Sequence, residues 1–445
     1  MDALSAVRAR LAPVKDALCA VPGLPDMFER CFLNTLETTV QTLRPGDTFI
    51  ITGDIEAMWL RDSTAQVMHY LRFCDEPAVA ALVEGLLARQ AACILIDPYA
   101  NAFNRENTGR AWSQDRPATS GWVWERKYEI DSLCYPLLLA WRYYQSTGSL
   151  AFLTEDFHRA IRTIVDVLTT EQRRESSPYW FQRDNCPPSD TLPFGGRGAP
   201  VGYTGMIWSG FRPSDDACRY GYFIPANLFA AAMLDGLAPL AEGLGRTDIA
   251  RQTRQLCHDL REGVSRFGKV QTERFGEIYA YETDGLGHHL LMDDANIPSL
   301  LSLPYLGVCA PDDPLYLRTR AFILSDGNPQ YFVGQRGCGV GSPHTPHDNV
   351  WPISLCVQGL TSTSPEERVT LLHTLLTTHA GTAHMHESFH KDDPSQFTRS
   401  WFAWADSMFG ELIMRMYEQG ELADAVAQLL QNGLYDIKKS KVLTL

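Results

Sequence analysis

The sequence predicts an all-α toroid: two rings of helices, with long loops forming a pocket at one end. Helical periodicity recurs in about a dozen segments of the 445 residues. Between them lie loops too rich in Trp, Tyr and Phe to be disordered. An α-solenoid would account for the helices but gives no reason for such loops, and no exact repeat is visible. Residues 1–445 read as a single domain, because no Pro/Ser-rich linker or low-complexity stretch divides them.

Apolar residues spaced three and four apart predict helices over Met27–Leu43, Ser63–Phe73, Pro77–Leu95, Ser132–Thr147 and Phe152–Leu168. The same spacing continues through Tyr222–Leu234, Asp248–Phe267, Ile297–Leu306, Leu315–Leu324, Trp351–Leu360, Pro365–Thr378, Trp401–Gln419 and Leu422–Leu430. Alternation over Lys269–Thr283, turning at Phe275-Gly276, predicts one hairpin. The long loops are Asp97–Ile130, Arg173–Asp215, Asp284–Asn296, Ser325–Asn349 and Gly381–Ser400.

Composition narrows the function. A formal charge of −14 disfavours a nucleic-acid or anionic-membrane partner, and no basic run is interleaved with aromatics. The first residues scatter Arg and Lys without a continuous apolar core, so no signal peptide is expected, and no segment reads as a bilayer span. Eleven Cys without CxxC pairs read as reduced core thiols of a cytoplasmic protein.

Five stretches could carry chemistry. The stretch GDIEAMWLRDST, Gly53–Thr64, embeds charges in apolar sequence. A buried charge needs a partner, and Arg61 beside Asp62 can supply one while still offering hydrogen bonds to a polyhydroxylated ligand. Trp59 offers a flat face on which a sugar ring can pack. The plainer reading is a helix start capped by Asp62 or Ser63. The second stretch, WVWERKYEIDS (Trp122–Ser132), sets Glu125, Arg126, Glu129 and Asp131 among Trp122, Trp124 and Tyr128, or caps a helix at Asp131 or Ser132.

The third stretch, Ile207–Pro225, carries Arg212-Pro213-Ser214 into Asp215-Asp216. Ser214 could cap a helix with the acids in its first turn. Alternatively, adjacent carboxyls in aromatic surroundings have raised pKa values, as a general acid requires. In the fourth, Asp326–Ser354, no phosphate-loop or dinucleotide pattern occurs. Its glycines permit turns that bring Arg336, His344, His347, Asp348 and Trp351 together. The fifth, His384–Pro394, contains His386-Glu387-Ser388-Phe389-His390, which matches the zinc-peptidase pattern HExxH letter for letter. Gly381 and Asp393-Pro394 leave little room for the helix such a site needs, and no third-ligand pattern follows. Trp-rich surroundings with several carboxyls and no metal cluster suit glycoside hydrolysis instead. A non-catalytic carbohydrate-binding protein is the remaining alternative.

The motifs TGDIEAMWLRDSTAQV, YEIDS, WSGFRPSDDACRYGYFIPAN, GNPQYFVG and HESFHKDDP with FTRSWFAWADS resemble those of glycoside hydrolase family 125, the exo-α-1,6-mannosidases. The resemblance spans Met27 to Met416. It implies an (α/α)6 barrel and metal-independent, inverting removal of terminal α-1,6-linked mannose from oligosaccharides, with no cofactor. It places a general acid in RPSDD, Asp215 with Asp216 as the alternative, and the general base at Glu387. It also implies that Arg61 and Asp62 hold hydroxyls of the terminal mannose. Trp59, Glu129, Asp131, Arg212, Asp216, His344, His347 and Trp351 complete the expected sugar-binding set.

Overall fold

The computed structural model describes residues 2–434. The first half carries helices α1 (Ala3–Arg10), α2 (Ala12–Leu18), α3 (Leu24–Asn34), α4 (Leu60–Ala65), α5 (Pro77–Ile96), α6 (Ile130–Thr147), α7 (Glu155–Thr170) and the single turn α8 (Pro193–Gly196). The second half carries α9 (Ile224–Gly243), α10 (Thr247–Phe267), α11 (Pro314–Ile323), α12 (Pro352–Leu360), α13 (Pro365–Thr377), α14 (Ala403–Glu418) and α15 (Leu422–Gln431). Prolines at the first or second position of α3, α5, α9, α11, α12 and α13 start these helices where a missing N–H costs nothing.

Contacts run from α4 to α6 to α9, and from α12 to α14 and back to α4 and α3, so the last long helix packs against the first part of the chain. Behind this series, α5 packs on α6 and α7, α10 on α9 and α7, and α13 on α12. One buried apolar cluster runs from Val7 to Leu434.

Between α9 and α12 the expected helix Ile297–Leu306 is a run of buried turns. Pro298 and Pro304 lack an N–H, and the hydroxyls of Ser299 and Ser302 accept from backbone N–H groups that a helix would use. Leu300, Leu301, Leu303 and Leu306 are nevertheless buried, which accounts for the periodicity. The expected helix Met27–Leu43 is also cut short. After Asn34 come a π-turn over Thr35–Thr39 and a strand, Val40–Arg44, paired with Asp47–Ile50. Thr38 and Thr39 hydroxyls donate back to the Asn34 and Thr35 carbonyls, which bends the chain out of the helix.

The hairpin forms as expected, with Lys269–Thr272 paired to Gly276–Tyr279. The α1–α2 pair was not foreseen; it packs on α3. Contrary to expectation, α5 and α9 are each long and apolar enough to span a bilayer, but 56% and 72% of their apolar windows are buried within the protein.

Three small sheets lie ahead of the helix N-termini and fix the site. Met58–Trp59, Ala102–Phe103 and Val123–Glu125 form one, leading into α4 and towards α6. His289–Leu290, Glu282–Thr283 and Tyr222–Phe223 form the second, ahead of α9. Asn349–Val350, Ser388–His390 and Phe397–Thr398 form the third, which precedes α12 and α14.

Candidate active site

One pocket, with a cavity volume of about 50 Å³, gathers residues from four of the five singled-out stretches, with Thr52, Asn296, Arg399, Phe402 and Trp404 beside them. Its walls include Trp59, Arg61 and Asp62 at the start of α4, Ser214 and Asp215 from the long loop, and His344, Trp351, Glu387, Arg399, Phe402 and Trp404. The N-termini of α4, α12 and α14 converge here, and helix N-termini favour negative charge.

Arg61 is the hub of the buried charges. Its Nη1 donates to Glu129 Oε2 at 2.6 Å and to Asp131 Oδ2 at 3.2 Å. Its Nη2 lies 3.5 Å from Asp215 Oδ1, and its Nε 3.7 Å from Asp62 Oδ2. Burial pushes Asp62 and Asp131 up to about 6 against the pull of Arg61. Asp62 and Asp131 sit inside the first turns of α4 and α6, whose N-caps are Trp59 and Glu129, neither making a side-chain capping bond.

The segment around Asp215 is not a helix start. Phe211 bridges Ala217, the Asp215 N–H donates to the Arg212 carbonyl, and Asp215 has a φ of 64°, a left-handed conformation rare for a residue with a side chain. This turn points the two acids to different partners. Asp215 Oδ1 accepts from Asn101 Nδ2 at 3.1 Å, and the Lys127 ammonium holds its carbonyl at 2.7 Å. Asp216 accepts from Ser214 Oγ at 2.9 Å and faces His344 Nδ1 at 3.8 Å. The expected rise in pKa does not occur at Asp215: burial raises it, but the charges of Arg61 and Lys127 outweigh burial and hold it below the ordinary value.

Across the pocket, Glu387 Oε1 lies 3.4 Å from Arg399 Nε. Arg399 also has a left-handed backbone, at φ 51°, and it lies 3.4 Å from Asp54 as well. The helix required by the HExxH reading does not form. Ser388–His390 is a strand, the His386 ring stacks on Phe397 at 3.9 Å, and His390 Nδ1 accepts from the Asp392 and Asp393 N–H groups. His344 is pushed up to about 9: burial opposes its charge, but contact with Asp216 and the nearby charges of Asp215 and Glu387 prevail.

Other expected sugar-binding residues lie elsewhere. Glu129 and Asp131 are buried behind Arg61. Arg212 donates to Glu282 Oε1 at 2.6 Å and is covered by Tyr281. His347 is largely exposed, beside Asp348 and edge-on to Phe332. Glycines 337, 339 and 341 have no positive φ, so they permit close approach rather than turns; a side chain on Gly341 would collide with the Asn349 carbonyl. Asn101, Lys127, Asn296 and Arg399 were missed. Arg399 lies in the FTRSW motif, and Lys127 is the one basic residue of WVWERKYEIDS that ends up deep among acids.

A helical scaffold whose loops close tryptophans and opposed carboxyl groups around one small pocket is the architecture of a glycoside hydrolase. Residues 22–414 match the family described as metal-independent alpha-mannosidase (GH125), and the chain belongs to that family. A Schizosaccharomyces pombe relative, the meiotically up-regulated gene 157 protein, is 40% identical over 425 residues, covering 89% of this chain and 82% of its own. A Streptococcus pneumoniae metal-independent alpha mannosidase, solved in a non-productive complex with α-1,6-mannobiose, is 42% identical. It superposes with a TM-score of 0.91, covering 93% of this chain and 98% of that one. A solved wild-type glycosidase with 14% identity shares the fold at a TM-score of 0.52, covering 96% of this chain and 99% of its own.

Proposed function

We propose that this protein is an exo-acting α-1,6-mannosidase that inverts anomeric configuration on an (α/α)6 toroid, with Asp215 as general acid and Glu387 as general base. The observation that carries the reading is that Asp215 and Glu387, 172 positions apart in sequence, line one pocket with Arg61 and Asp62 between the tryptophans. In this reading, Asp215 protonates the departing glycosidic oxygen while Glu387 takes a proton from the attacking water. Arg61 and Asp62 hold hydroxyls of the terminal mannose, and the indole N–H groups of Trp59 and Trp404, which have no protein partner, are further donors. Asp216, paired with Ser214 and His344 beside the pocket, is the second candidate acid. The α-1,6 linkage is taken from the mannobiose bound to the pneumococcal relative. A cytoplasmic setting without nucleic-acid or membrane partners belongs to the same reading, supported by the net charge and by eleven free cysteines among the described residues.

The test is the anomer released first from an α-1,6-linked mannobiose, followed by NMR. β-Mannose is expected, and α-mannose as first product removes Glu387 as base. Glu387→Gln is expected to stay folded and lose turnover. Asp215→Ala is expected to lose about 10²–10⁴-fold on mannobiose and far less on an activated aryl mannoside. Equal losses on both substrates move the acid to Asp216.

A further inference from the structure

Arginines withdrawn from water in this protein are held by acceptors. Arg61, Arg89, Arg183, Arg212 and Arg368 meet carboxylates, and Arg174 and Arg197 meet backbone carbonyls. Among the described residues, Arg142 and Arg415 depart from this pattern. Both are partly buried, and neither guanidinium has a hydrogen bond or an ion pair. Both line the same cavity, of about 540 Å³. Arg72 lines it as well, already paired with Glu418 at 3.1 Å. A guanidinium taken from water without an acceptor is a cost that a bound anion removes.

The cavity lies at the far ends of helices whose starts build the candidate active site. α6 begins beside Glu129 and carries Arg142 about three turns on. α14 has Trp404 at its start and Glu411 and Arg415 towards its end, and α12 follows Trp351 and ends at Leu360. Twelve residues, about 18 Å of helix, separate the first residue of α6 and of α14 from its arginine. The helix dipole accounts for Arg415, in the last turn of α14, but not for Arg142, which stands ahead of the last turn of α6. Glu411, held by the Tyr305 hydroxyl at 2.9 Å, and Glu418 face three guanidiniums. The cavity thus keeps an excess positive charge in a chain whose net charge is −14.

We infer that this cavity is a second binding site, for a small phosphomonoester whose phosphate lies between Arg142 and Arg415. Each guanidinium presents a fork of two parallel N–H donors. One fork fills both oxygens of a carboxylate, whereas the three free oxygens of a phosphate can serve two forks. Leu71, Leu138 and Leu360 line the same cavity and give the organic part of the ligand an apolar surface. Glu411 in the wall opposes a second phosphate, which limits the ligand to a single one. None of the catalytic or sugar-binding groups lines this cavity, so the inference stands apart from the roles of Asp215 and Glu387.

The experiment is calorimetric titration of the full chain with phenyl phosphate at neutral pH and low salt, beside inorganic phosphate and phenol. Phenyl phosphate is expected to fill one site with a Kd of about 1 mM or tighter. Inorganic phosphate should bind more weakly, and phenol should give no heat. Arg142→Gln and Arg415→Gln should each weaken phenyl phosphate about tenfold or more, the loss of a hydrogen bond to a charged group. Both variants should turn over an aryl mannoside like wild type when no phosphate is present. Arg142→Lys and Arg415→Lys keep the charge, lose the fork and should also bind more weakly than wild type, which decides the matter if a glutamine variant fails to fold. No heat from phenyl phosphate, or wild-type affinity in the Arg142 and Arg415 variants, overturns the inference. Phenol binding as tightly as phenyl phosphate overturns it too, because the cavity would then select only apolar surface. Displacement of phenyl phosphate by mannose would place the ligand in the active site and has the same consequence.

Discussion

Arg61 explains more of the site than any other residue. A single guanidinium offers donors in a fixed fork, and here each nitrogen lies near a different carboxyl. The sequence exposed Arg61 and Asp62 by setting them in an apolar run. It could not show that Glu129 and Asp131 serve Arg61 rather than the ligand, because that depends on which way α6 enters the pocket. His344 gives the residue-scale prediction. Its folded pKa lies near 9, above the ordinary 6.5, because it faces Asp216, Asp215 and Glu387. A raised histidine pKa adds stability that is fully present below pH 6.5 and is lost as pH rises through about 9. The melting temperature should therefore fall between those pH values in wild type, and His344→Gln should flatten the decline. A decline of equal slope in the variant would show that another group is responsible.

At the scale of elements, long periodic helices were legible: α5, α6, α10, α12 and α13 start and stop within a few residues of expectation. The exceptions have local causes, namely prolines in the 297–306 segment and the threonine run after α3. The RPSDD stretch also departs, because its left-handed turn at Asp215 leaves no mark in apolar spacing. The two-residue strands before the helices are too short to show alternation, although they aim most of the pocket residues. Their registry depends on close packing at Gly341, which lies against the Asn349 carbonyl and the Phe332 ring. Asn349 pairs with His390 in the strand that follows Glu387. Gly341→Ala should cost about 1–3 kcal/mol through overpacking, and should lower kcat with it because the Glu387 strand shifts. A stable variant with full turnover would show that this contact can yield.

For the whole molecule, the relevant property is that long loops close the pocket on several sides. Thr52 and Ile55, Pro213 to Asp215, His344 and Arg399 each contribute a wall from a different part of the chain. A site walled in this way should admit a chain end and exclude its middle. With a longer α-1,6-mannan, single mannose units should appear from the first minutes, and disaccharides released from within the chain would refute the exo reading. The packing of α14 against α3 and α4 has a consequence for biosynthesis. Asn34 bonds Asp406 across 372 residues, and the pocket walls extend from Thr52 to Trp404. A chain still leaving the ribosome thus presents Asp215 long before Glu387, with the apolar faces of α3 and α4 waiting for a partner not yet made. No chemistry exists until α14 has been made, so a stop codon ahead of it yields an aggregation-prone fragment and not a weakened enzyme.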